Sequence, residues 1–179
     1  NLLTIGLTAL AIAGCPAGET VSPRPSASLA HPDLWEISET AVPGLPETPD
    51  DALCKEEGYK PEQLGGAYVF SVLTQFCNYI TVSQPSQADI LKGDSVSLRF
   101  WHSQLTAPVD SIATSALAIE SDVIWLEQFP IPLLSSGISK YEWIATKDIP
   151  AGTPLFFHVS NHGNNEYSLV ELTLIPKVE

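Results

Sequence analysis

The stretch Ser95-Val96-Ser97-Leu98-Arg99-Phe100-Trp101 decides the fold. Val96, Leu98 and Phe100 alternate with Ser95, Ser97, Arg99 and Trp101, which is the period of a half-buried strand and not of a helix. Leu155, Phe157 and Val159 alternate with Phe156, His158 and Ser160 in the same way. Further strand patterns fall at 67–72, 78–83, 112–119, 123–129, 140–146 and 167–175. Turn residues separate them: Lys92-Gly93-Asp94, Ser135-Ser136-Gly137, Pro150-Ala151-Gly152 and Asn161-His162-Gly163-Asn164-Asn165. About eight short strands without a long amphipathic helix predict an all-β, antiparallel β-sandwich. A parallel α/β architecture is excluded because its crossover helices have no counterpart in the pattern.

Upstream of the strands, prolines fall at 16, 23, 25, 32, 43, 46 and 49, with Ser, Ala, Thr and acidic residues between them. Proline removes backbone donors and favours extended conformers, so residues 15–49 read as a flexible, disordered tether. Leu34-Trp35-Glu36-Ile37 interrupts this segment and is placed to dock on the domain as an added strand. Residues 50–63 are charged and suit a helical turn or two, limited by Gly58 and Pro61. The β-sandwich domain is expected over 50–179.

Residues 2–13 are apolar and end in Ile12-Ala13-Gly14-Cys15, which resembles a bacterial lipobox. The resemblance implies that residues 1–14 are a cleaved signal peptide and that Cys15 is lipidated, making the chain an exported, membrane-anchored lipoprotein of the bacterial cell envelope. A run of 12 residues is too short to span a bilayer, for which about 20 are needed. Pro16, in place of the aspartate that favours inner-membrane retention in enterobacterial sorting, points to the outer membrane or cell surface. The run 84–175 also resembles, in layout, the jelly-roll and galactose-binding-like sandwich modules of bacterial surface proteins. Ile90-Leu91-Lys92-Gly93-Asp94, Ile149-Pro150-Ala151-Gly152-Thr153 and an expected closing hairpin through 161–165 carry that resemblance.

Eight basic residues against 21 acidic ones give a net charge of −13, whose field repels phosphate backbones, so no nucleic-acid partner is expected. With Cys15 assigned to lipid, Cys54 and Cys77 remain as a pair for a disulfide in an oxidising compartment. Such a bond closes a loop of about 24 residues and stabilises by about 3 kcal/mol in the chain-entropy model.

His158, His162 and Glu166 are spaced by four around the expected hairpin, and with His102 they form the only candidate set for a divalent metal. Polar hairpin chemistry accounts for the same spacing, so no metal or other cofactor is assigned. His102 falls on the Val96, Leu98 and Phe100 face, as an edge-of-core residue. No Gly-x-Ser-x-Gly, Ser-x-x-Lys or His-Glu-x-x-His motif occurs, and no catalytic residue is assigned.

Tyr141 and Trp143 lie two apart on one strand face, and Trp125 and Trp143 are assigned to the core. Trp101 shares the outer face with Arg99, where an indole flanked by polar groups can stack on a sugar ring. The chain is therefore expected to be a non-catalytic binding module for a carbohydrate or a protein partner. Trp101, His102, His158, His162 and Asn164 are the residues to examine. A structural envelope lipoprotein whose aromatics all serve the core is the alternative.

Overall fold

The computed structural model describes residues 23–178, so the expected signal peptide, Cys15 and the first part of the tether lie outside the described residues. Eleven strands form two antiparallel sheets packed face to face. They are β1 (Ala27–Ser28), β2 (Glu36–Ile37), β3 (Tyr59–Leu64), β4 (Ala67–Leu73), β5 (Tyr79–Pro85) and β6 (Ser95–His102), followed by β7 (Ser111–Ile119), β8 (Asp122–Ile131), β9 (Gly137–Ile144), β10 (Pro154–Ser160) and β11 (Glu166–Ile175). One sheet runs β3-β4-β11-β6-β9, with β1 also on β11; the other runs β2-β5-β10-β7-β8. Among the described residues no helix is long and apolar enough to cross a membrane.

All eight strands expected from the alternation are present, and the sandwich is of the predicted class. Inside it, Phe100 lies 4.9 Å from Trp125, 6.0 Å from Phe129, 6.2 Å from Phe157 and 6.0 Å from Tyr167, so aromatic rings from both sheets close on one another. Ring contacts of this spacing add to the burial of the rings themselves. Trp125 is buried as expected, and Trp143 is half-buried against the same core.

Three expectations change. The run through 161–165 does not close a hairpin. β10 pairs with β5 and β7, whereas β11 pairs with β4 and β6, so these residues carry the chain from one sheet to the other. Residues 59–64 form an edge strand instead of continuing the single 3-10 turn at Glu56–Gly58. Pro61 is tolerated there because β3 pairs with β4 alone, and an edge strand leaves one set of backbone donors unused.

The third change concerns the tether, whose described part, 23–49, is laid onto the sandwich and is not free of it. β1 pairs with β11 and β2 with β5, the latter through the expected apolar stretch. Leu29 is fully buried, and Trp35 packs 6.0 Å from Phe70 and 6.3 Å from Phe157. Arg24 donates to both carboxylate oxygens of the buried Asp94, at 2.5 and 2.6 Å. Burial raises the Asp94 carboxyl, but Arg24 and the backbone N–H groups of Lys177 and Leu91 outweigh it and hold the group below its ordinary range. Cys54 and Cys77 are disulfide-bonded and tie the following segment to the start of β5.

Burying Leu29 and Trp35 stabilises by about 1.5–3 kcal/mol each, against a typical domain stability of about 5–15 kcal/mol. A chain beginning at residue 50 is therefore expected to lose much of its stability, read as a lower midpoint in chemical denaturation. Unchanged unfolding would restore the free-tether reading for 23–49.

Candidate functional site

Pairing register sets one row of side chains across the outer face of the β3-β4-β11-β6-β9 sheet. Lys60 stands opposite Ser71, Ser71 opposite Ser168, Ser168 opposite Trp101, and Trp101 opposite Ile138. The neighbouring residues Phe70, Leu169 and Phe100 point into the core, so alternation turns this row outward. Trp101 is half-buried in it. The two serines beside it are fully buried and joined Oγ to Oγ at 2.7 Å.

Charged groups flank the indole. In the adjacent row Glu62 opposes Val69 on one side of the sheet, and Arg99 stands between Glu171 and Lys140 on the other. A bulge between Leu169 and Glu171 brings the Glu171 side chain to Arg99, whose Nη1 donates to Glu171 Oε2 at 3.1 Å. Lys60 Nζ and Glu62 Oε2 are 2.9 Å apart. Burial raises the Glu62 carboxyl, but its bond to the Lys60 ammonium and the Ser71 hydroxyl beside it bring it below its ordinary value. Glu166 moves the other way, raised by burial and by the nearby charge of Glu62.

Two polar atoms here have no hydrogen-bond partner among the described residues although both are buried, Glu62 Oε1 and Arg99 Nε. A buried polar group left unpaired costs about 1–3 kcal/mol. Arg99 lies two residues from Trp101 on the same face of β6, whereas Glu62 lies on β3 with β4 and β11 between.

The other residues singled out in the sequence are dispersed. His102 faces the core, with Nδ1 2.7 Å from Ser103 O and its ring 5.0 Å from Phe129. Its register partner is Gly137, where a Cβ would come within 2.5 Å of His102 Nε2, so the strand pair requires glycine at that position.

His158 lies on the outer face of the second sheet, yet it is fully buried, because residues 38–48 fold over that face. Val42 packs on Phe156 and Ala118, and Tyr79 Oη donates to Pro46 O at 2.9 Å. His158 Nδ1 is 3.0 Å from Thr81 Oγ1, while Nε2 has no partner among the described residues. Burial lowers its pKa to about 4.

His162 and Asn164 are exposed on the 161–165 connection, with His162 Nδ1 3.7 Å from Asp51 Oδ2. The buried asparagines of that connection serve structure. Asn161 Nδ2 donates to Tyr167 Oη at 2.8 Å, and Asn165 exchanges two bonds with the Thr106 backbone, at 2.5 and 2.8 Å. Glu166 begins β11 on the sheet opposite to that of His158, and no group of three metal-ligating side chains occurs among the described residues. Of the sequence candidates only Trp101, and Glu166 in a role other than the expected one, stand at the polar platform. Lys60 and Glu62 were missed because Pro61 between them argued against a strand.

No protein-family model matches the chain, and no curated protein matches it. Among solved structures it is similar to a carbohydrate-binding module described for specific mannan recognition, at 8% identity and a TM-score of 0.50, over 88% of this chain and 98% of that one. A cyclase from Fischerella sp. TAU aligns at 12% identity and a TM-score of 0.46, over 86% and 90% of the two chains. A family 16 carbohydrate-binding module aligns at 11% identity and 0.42, over 66% and 85%. At these identities the likeness shows the fold, a jelly-roll-type β-sandwich.

The buried His158 gives a pH dependence of known sign. Below about pH 6.5 the unfolded chain takes up a proton that the folded imidazole refuses until about pH 4. Its contribution is therefore constant above 6.5 and falls by about 3 kcal/mol on the way down to 4. Urea unfolding at several pH values is expected to show this loss in the native sequence and a flatter profile in His158→Gln; identical slopes would remove His158 as the cause.

Proposed function

We propose that this chain is a non-catalytic carbohydrate-binding module that takes a neutral glycan on the outer face of the β3-β4-β11-β6-β9 sheet. The observation that carries the reading is the half-buried Trp101 on an outer sheet face that also carries the Arg99–Glu171 and Lys60–Glu62 ion pairs. The indole supplies a flat apolar surface for a sugar's C–H face. Glu62 and Glu166 accept from hydroxyls, while Lys60 and Arg99 donate to ring or hydroxyl oxygens. Polyanionic glycans are disfavoured by the net charge of −13 and by the carboxylates on this face. Similarity of fold to a module described for mannan recognition supports the class and makes mannan the first ligand to try.

The proposal extends to location. A lipid on Cys15 would hold the module at a bacterial envelope membrane. In cells producing the full-length precursor, Cys15→Ser is expected to move the protein from the membrane fraction to the soluble one. Retention in the membrane fraction would overturn the anchor.

Affinity electrophoresis in gels containing mannan, xylan or mixed-linkage glucan tests the ligand class. Retardation in at least one gel is expected, and Trp101→Ala is expected to weaken it by about 10- to 100-fold, the loss of one buried ring face. Equal retardation of the variant would remove Trp101 from the site. No retardation in any gel would favour a structural envelope role.

A further inference from the structure

The edge strands β8 and β9 belong to different sheets and face each other without a shared hydrogen-bond ladder. Between them lies a cleft of about 440 Å³, within the size range of small-molecule sites. Its walls are mixed in character: Trp125, Leu126 and Glu127 on β8, and Ser139, Lys140 and Tyr141 on β9. Trp125 is held in place by Phe100 behind it, and Tyr141 is 39% exposed, so one aromatic is fixed and the other is open to a ligand.

Two open strand edges invite a peptide strand, but both edges are guarded. β8 is bulged where it passes Leu117 and Ala118, and it carries Pro130 near its end. β9 presents Lys140 and Glu142 to solvent. Bulges, proline and exposed charge are the devices that prevent strand addition. What remains is a set of isolated backbone donors and acceptors, a carboxylate, an ammonium, a hydroxyl and two aromatic rings, which suits a ligand that bonds at separate points. Glu127 opposes an acidic ligand and gives a hydroxyl an acceptor.

Position strengthens the case. Lys140 lines the cleft and is also the register partner of Arg99, in the row beside Trp101. One strand spacing, about 4.8 Å, separates β6 from β9, so the cleft opens where the Trp101 platform ends.

We infer that the β8–β9 cleft is a second saccharide subsite, taking a neutral sugar unit on the exposed ring of Tyr141 at the mouth of the cleft that the buried Trp125 lines, and continuing the platform around the sheet edge. The ligand class rests on the carbohydrate reading, whereas the position of the subsite does not.

The indole N–H resonances of the four tryptophans, followed in the ¹⁵N-labelled chain during titration with mannohexaose, xylohexaose and cellohexaose, test this. At least one of these probes is expected to move the Trp125 signal. That response should persist in Trp101→Ala with about 10-fold or more weaker affinity, and should disappear in Tyr141→Ala and Glu127→Gln while the Trp101 signal still moves. Movement of Trp101 with Trp125 unchanged would overturn the second subsite and leave the carbohydrate reading standing. No movement of any indole with any probe would overturn both. Glu127→Gln keeps the side-chain shape, removes the charge and exchanges one acceptor oxygen for an amide donor, and so separates loss of the carboxylate from loss of packing at Tyr141.

Discussion

Phe100 is the residue on which the arrangement turns. Its ring meets Trp125, Phe129, Phe157 and Tyr167, and those residues come from both sheets, so the sandwich closes around it. A strand sends successive side chains to opposite faces. Burial of Phe100 therefore forces Arg99 and Trp101 to the outer face, and a slip of one residue would put both into the core and Phe100 into water. The polar platform is a consequence of the packing requirement on its neighbour.

The two outer faces have been put to different uses. Residues 38–48 roof part of the β2-β5-β10-β7-β8 face, sealing His158 beneath Val42 and beside Tyr79. The opposite face keeps its charged side chains and Trp101, and its buried serines pair with each other. A covered face contributes to stability, and an uncovered one keeps its side chains in contact with solvent. The stretch that reads as a proline-rich tether creates the difference through Val42, which packs on Ala118 and Phe156, while its Leu29 and Trp35 enter the main core.

Much of this was legible in the chain. Strict alternation at 95–101 and 155–160 identified central strands, because each buries one face against the facing sheet. Pro61 hid β3, since proline argues against a strand unless the strand is at an edge, and edge position is decided by partners distant in sequence. The histidines misled for a related reason. Spacing by four around a polar turn suggested that His158 and Glu166 face each other, but the turn links two sheets and separates them.

The sequence by itself determined the strand periods, the turn positions and the side of the strand on which Trp101 lies, all of which depend on residues close together in the chain. Tertiary structure alone decided which strands became neighbours. It placed Lys60 in line with the Trp101 row and Glu62 in the row of Arg99, buried His158 under a proline-rich segment and opened a cleft between β8 and β9. These arrangements join residues from about 15 to more than 100 positions apart. No local periodicity encodes them, because they follow from how two twisted sheets pack and exchange strands.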